Sequence, residues 1–149
     1  DVWLVKTDSA GSMLWNETYG GTGDDTAYSV RQTNDGGYAL TGITNSYGAG
    51  GYDFLLVKTD SSGNQQWAKT YGGTDSDHAY SVVQTSDGGY ALAGYTNSYG
   101  AGSFDVWLVR TDVESGLAWT DSTANTITLY RGATDPYWNY VQVRIWKIH

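Results

Sequence analysis

Residues 53–97 read DFLLVKTDSSGNQQWAKTYGGTDSDHAYSVVQTSDGGYALAGYTN, and this stretch decides the fold. The same text starts at Asp1, as DVWLVKTDSAGSMLWNETYGGTGDDTAYSVRQTNDGGYALTGITN, and again at Asp105, as DVWLVRTDVESGLAW. The copies are 52 residues apart, which makes Trp15, Trp67 and Trp119 equivalent, and likewise Asp35 and Asp87. A unit of this length cannot bury its own apolar surface and must bury it against its neighbours. The period therefore points to a stacked or radial repeat architecture.

Within one period, Val2 to Thr7 (VWLVKT) is apolar on both faces, so this strand must be covered above and below. The turn DSAG follows. Its copy DSSGN at 60–64 is an Asp-initiated tight turn with Gly where positive φ is needed. A second strand carries Trp15, Glu17 and Tyr19 on one face and ends at Gly20-Gly21. The loop TGDD leads to a third strand, AYSVRQT, from Ala27 to Thr33, then to the hairpin signal NDGG at 34–37. The fourth strand is YALTGIT, Tyr38 to Thr44, whose Gly42 marks the close approach of another backbone or a bulky neighbour. Each period thus predicts four short strands in an antiparallel meander.

Composition agrees with strands and narrows the function. The 149 residues hold 20 Gly, 1 Pro and 15% aromatics, a mixture that favours short strands and tight turns over helices. Cysteine is absent, so no disulfide staples the fold and the redox compartment is not legible. The net charge of −8 argues against nucleic acid, whose phosphates need a basic footprint. No run of roughly 20 apolar residues is present to predict a membrane span. The opening Asp suggests a processed chain or a fragment. Charge is uneven: 15 acidic and 5 basic residues lie up to Asp121, against 1 acidic and 3 basic residues from Ser122 onward, where the repeat pattern is lost.

The string DxxLVKTDxxGNxxWxxTYGG, followed by DxAYSVxQTxDGGYALxGxTNS, resembles the prokaryotic β-propeller repeats of long archaeal and bacterial surface or secreted proteins, from Asp1 to about Asp121. The final segment, WTDSTANTITLYRGATDPYWNYVQVRIWKIH, is similar to a C-terminal extension of such repeats in archaeal proteins. The resemblance implies a fold and a location at the cell surface or outside the cell, and no particular activity. The expected architecture is all-β: a propeller-type repeat of four-stranded antiparallel blades, about three per chain, one of them completed by the tail. Written inner to outer as strands A to D, the chain opens on an orphan C and D pair (1–19). Two blades follow, at about 27–71 and 79–121, then a divergent segment at 122–149. Its strand candidates, Asn125 to Gly132 and Asn139 to Ile148, are expected to stand in for A and B of the incomplete first blade or to mediate assembly. A closed propeller needs roughly four to eight blades, so one copy does not close alone. The chain belongs to a longer polypeptide, completes a ring with itself, or adds units head to tail, the last favoured by the basic tail meeting an acidic repeat surface.

Sites for chemistry are sparse. The acidic loops at Asp24-Asp25 and at 75–77 fit no calcium-loop spacing, and Asp before a strand more often caps a turn. Asp8, Asp60 and Asp112 recur before tight turns, as turn chemistry requires. His78 and His149 have no Ser, Cys or metal-ligand partner at recognisable spacing. The glycines of SYGAGG lie between two strands, without the helix that a phosphate loop needs. Asn16-Glu17-Thr18 matches a glycosylation sequon. Trp15, Trp67 and Trp119 are expected to pack between neighbouring blades. Tyr47 and Tyr99, in matched NSYGAG loops, are the candidate ligand-binding residues, with a glycan as the ligand class, because exposed aromatics stack on sugars. In the tail, Ile127, Leu129, Tyr137, Trp138, Tyr140, Val141, Val143 and Ile145 are the candidate assembly interface. The sequence thus predicts a non-enzymatic extracellular assembly protein with no catalytic residues, metal or cofactor, whose partners are other copies of itself joined by strand complementation. The alternatives are a carbohydrate- or protein-binding propeller module, or a fragment of a larger surface propeller protein.

Overall fold

A computed structural model describes residues 1–112 and, beyond them, the strands at 118–119, 126–130 and 141–144. Every regular element among the described residues is a strand: β1 (Val2–Thr7), β2 (Met13–Tyr19), β3 (Asp25–Gln32), β4 (Tyr38–Thr44), β5 (Asp53–Thr59), β6 (Gln65–Tyr71), β7 (Asp77–Gln84), β8 (Tyr90–Thr96), β9 (Asp105–Thr111), β10 (Ala118–Trp119), β11 (Thr126–Tyr130) and β12 (Val141–Arg144). The protein is all-β, with antiparallel sheets ordered β1-β2, β3-β4-β5-β6, β7-β8-β9 and β10-β11-β12. The chain divides into two compact units, Asp1–Thr111 and Asp112–His149.

The turns form as their residues dictate. Asp8 Oδ1 accepts the amides of Ala10 and Ser12, each at 2.9 Å, and Gly11 sits at φ +83°. Asp60 repeats this with Ser62 and Asn64. The β3–β4 pairing explains Gly42: a Cβ there would overlap the Thr26 carbonyl oxygen and lie 2.8 Å from Ala27 Cα. The register shifts at that point and leaves Tyr28 unpaired in a β-bulge, and Gly94 and Tyr80 repeat the arrangement one period later. An ion pair also recurs. The buried Lys58 Nζ donates to Asp35 Oδ2 at 2.8 Å and to Gln66 Oε1 at 3.0 Å, while at the equivalent place Arg110 and Asp87 pair in an exposed setting.

The core of the first unit lies between sheets rather than within them. Because side chains alternate along a strand, β5 sends Phe54 and Leu56 to one face and Leu55 and Val57 to the other, and all four are buried. Leu55 and Val57 form one cluster with Leu40, Tyr19 and the β1 residues Val2 and Leu4. Phe54 and Leu56 form the second cluster with Ala79, Val82, Leu92, Trp107 and Val109. Trp15 meets Tyr38 edge-on at 5.8 Å and Trp67 meets Tyr90 at 5.7 Å, both at 69°, so these two tryptophans pack between successive sheets as expected. The Trp119 side chain lies outside the described residues.

The tail strands, expected either to complete the first blade or to mediate assembly, form a sheet with β10: Leu129 faces Trp119 across β10–β11, and Ile127 faces Val143 across β11–β12. Among the described residues, β1 is paired with β2 alone and β9 with β8 alone. The short connection from β10 to β11 favours local antiparallel pairing.

Candidate assembly interface

Each sheet of the first unit has a front, which meets the sheet that follows, and a back, which meets the one before. At the first junction, Val2 and Leu4 of β1 form the front against Leu40, Leu55 and Val57. At the second, Phe54 and Leu56 form the front against Leu92, Trp107 and Val109. The third sheet carries the same front, with Val106 and Leu108 at the repeat positions of Phe54 and Leu56. Nothing in the first unit follows it. Phe54 and Leu56 are 0% exposed, whereas Val106 is 92% and Leu108 65% exposed. The back of β1 is open too, with Trp3 62% exposed. On the inner strand β3, Val30 is half exposed while its counterpart Val82 is fully buried. Sequence reading placed the candidate interface in the tail; these exposed repeat positions are a further candidate, legible only by aligning the copies and comparing the burial of each.

Polar latches close one end of the junctions. Asp25 accepts hydrogen bonds from the hydroxyls of Thr44 and Ser46 and from the Gly21 amide. Asp77 accepts from Ser98 Oγ at 2.7 Å and from the Gly73 amide at 2.9 Å. Burial pushes both carboxyls up, and the hydroxyl and amide donors outweigh it, so both end below the usual aspartate value. The acidic loops are therefore occupied by local capping. Among the described residues, no group of three or more His, Asp or Glu is placed to hold a metal.

The structure puts Tyr47 and Tyr99 at equivalent places. Tyr47 donates its hydroxyl to the Gly20 carbonyl at 2.7 Å and Tyr99 to that of Gly72 at 2.9 Å, tying each loop to the preceding Gly-Gly turn. Their rings remain half exposed, and that of Tyr99 lies 5.4 Å from Trp107. Tyr47 also lines a cavity of about 350 Å³ with Tyr19, Leu55, Val57, Gln65 and Lys69. His78 stacks on Tyr95 at 4.8 Å; burial lowers its pKa, opposed by the charge of Asp77. Of the tail candidates, Ile127, Leu129, Val141 and Val143 lie on β11 and β12, where only the backbone is described. Tyr137, Trp138, Tyr140 and Ile145 lie outside the described residues.

No protein-family model matches the sequence. The chain is similar to the regulatory protein FlaEY of Caulobacter vibrioides, with 30% identity over 129 residues. The match covers 78% of this chain but only 13% of that much longer protein.

Proposed function

We propose that this chain is a non-enzymatic, propeller-type repeat unit, acting at the cell surface or outside the cell, whose work is to add to further copies through its open sheet faces. The observation that carries the reading is the contrast between Leu56 and Leu108. The same residue at the same repeat position is wholly buried in the middle sheet of the first unit and exposed in that unit's last sheet. A contiguous apolar face of this kind is characteristic of an interaction surface. The long edge of β1, paired among the described residues with β2 alone, adds a second point at which a strand from a neighbouring copy docks. The carboxylates support a structural role, since Asp8, Asp25, Asp35, Asp60, Asp77 and Asp87 each bind a local amide, hydroxyl or cation, and do so alike in successive copies. The propeller architecture and the external location rest on the repeat resemblance. Electron microscopy of the concentrated chain is expected to show rings or filaments. A field of separate single-chain particles at every concentration argues against the proposal.

The cavity beside Tyr47 favours a second reading, a carbohydrate-binding module. Its volume lies in the range of small-ligand sites, and Tyr47, Gln65 and Lys69 provide a ring face and polar groups for a sugar. Quenching of tryptophan fluorescence by a neutral oligosaccharide, lost in Tyr47→Ala, is the result this reading expects.

A further inference from the structure

The two junctions inside the first unit follow one plan with different residues. At the second, Phe54 of one sheet meets Trp107 of the next with ring centroids 4.7 Å apart, and the Tyr99 ring closes on the same indole at 5.4 Å. Residues 1–7 (DVWLVKT), 53–59 (DFLLVKT) and 105–111 (DVWLVRT) align without a gap. At the first junction Val2 and Leu55 therefore hold the places of Phe54 and Trp107, and two short aliphatic side chains stand where two rings pack one period later. Tyr47, at the place of Tyr99, keeps its ring in position through its hydroxyl bond to the Gly20 carbonyl at 2.7 Å. Leu55 offers it no indole to meet.

The space left over is the cavity of about 350 Å³ beside Tyr47, whose walls run from Tyr19 to Thr70 and so belong wholly to the first unit. Cross-strand pairing sets Thr70 opposite Leu55 and Ala68 opposite Val57, which makes the floor on the second sheet largely apolar. The hydroxyls of Tyr19 and Tyr47 are both engaged with backbone carbonyls, those of Gly63 and Gly20, so these walls present ring faces. A roomy apolar space in a folded protein takes up an aromatic molecule in place of the missing side chain. We propose that this cavity binds one small planar aromatic molecule of the indole class, seated on the Tyr47 ring over Leu55 as the Trp107 indole is seated on Tyr99. The inference is independent of self-association, and it differs from the carbohydrate reading of the same cavity in the class of ligand.

Calorimetric titration of the full chain with indole, and separately with maltotriose, tests this. The wild type is expected to take up one indole per chain. Leu55→Trp restores the residue that the other two copies carry and fills the cavity from within; with a cooperative thermal melt retained, it is expected to bind indole about tenfold or more weakly. Leu55→Phe, a smaller filling, decides the matter if the tryptophan variant does not fold, and is expected to weaken binding in the same direction. Tyr47→Phe keeps the ring and is expected to keep binding, whereas Tyr47→Ala is expected to lose it. No uptake of indole by the wild type, or uptake unchanged in the folded Leu55 variants, overturns the proposal. Binding of maltotriose without indole overturns it too, and leaves the carbohydrate reading standing.

Discussion

A Cβ on Gly72 would overlap Asp53 Oδ1 and lie 2.8 Å from Asp77 Oδ2, so two aspartates from adjacent sheets sit side by side. Their ionisation is opposed. Burial raises the Asp53 pKa, the Ala49 amide opposes this, and the charge of Asp77 raises it further; Asp53 Oδ1 is buried without a hydrogen-bond partner. Asp77 is held below its ordinary value of 3.8 by donors that overcome its burial. Asparagine at the two positions is expected to act in opposite directions. Asp77→Asn weakens charge-assisted hydrogen bonds and destabilises by about 1–3 kcal/mol. Asp53→Asn removes a disfavoured charge and holds or raises stability at neutral pH; thermal melting of both variants checks the contrast. The pH dependence follows with the same signs. Asp25, Asp35 and Asp77 contribute stability that is present above 3.8 and lost as pH falls through their lowered values, about 2 for Asp35. Asp53 contributes stability that is present below 3.8 and lost as pH rises through its raised value, so the advantage of Asp53→Asn grows from pH 4 to pH 7.

At the scale of elements, the repeat text fixed the strands well. The readings VWLVKT and YALTGIT coincide with β1 and β4, and Gly42 lies where a neighbouring backbone comes close. Gly42→Ala forces β3 and β4 apart at the Thr26 carbonyl and is expected to destabilise by about 1–3 kcal/mol, read by chemical denaturation. These features were legible because turn chemistry and alternation act over a few residues. The meeting of Asp53 with Asp77 was not, since it depends on two sheets stacking. Nor was the partner of β10, because Trp119 carries the same repeat signature as Trp67 while its strand joins the tail. Tyr47 and Tyr99 were legible as a matched pair, but their hydroxyl bonds to Gly20 and Gly72 belong to the junction and not to the loop. Tyr19 similarly donates to the Gly63 carbonyl at 2.6 Å, and burial, with Glu17 and Asp60 adding, pushes its pKa up to about 12. Tyr19→Phe is expected to lose about 0.5–1.5 kcal/mol of stability without changing the fold, by the same denaturation measurement.

For the molecule as a whole, one repeat surface is core at one position and exposed at another, and the proposed self-association draws on the exposed one. Leu56→Ala opens a cavity in a closed junction and is expected to cost about 2–5 kcal/mol, while Leu108→Ala changes the melting of dilute protein by about 0.5 kcal/mol or less. If the chain self-associates as proposed, the same truncation at Leu108 is expected to weaken association in concentrated protein. The most direct test is sedimentation equilibrium of the wild-type chain across a wide concentration range. The account predicts a weight-average mass that climbs from the 16.2 kDa of one chain to multiples of it. A constant single-chain mass up to the highest concentration would contradict it.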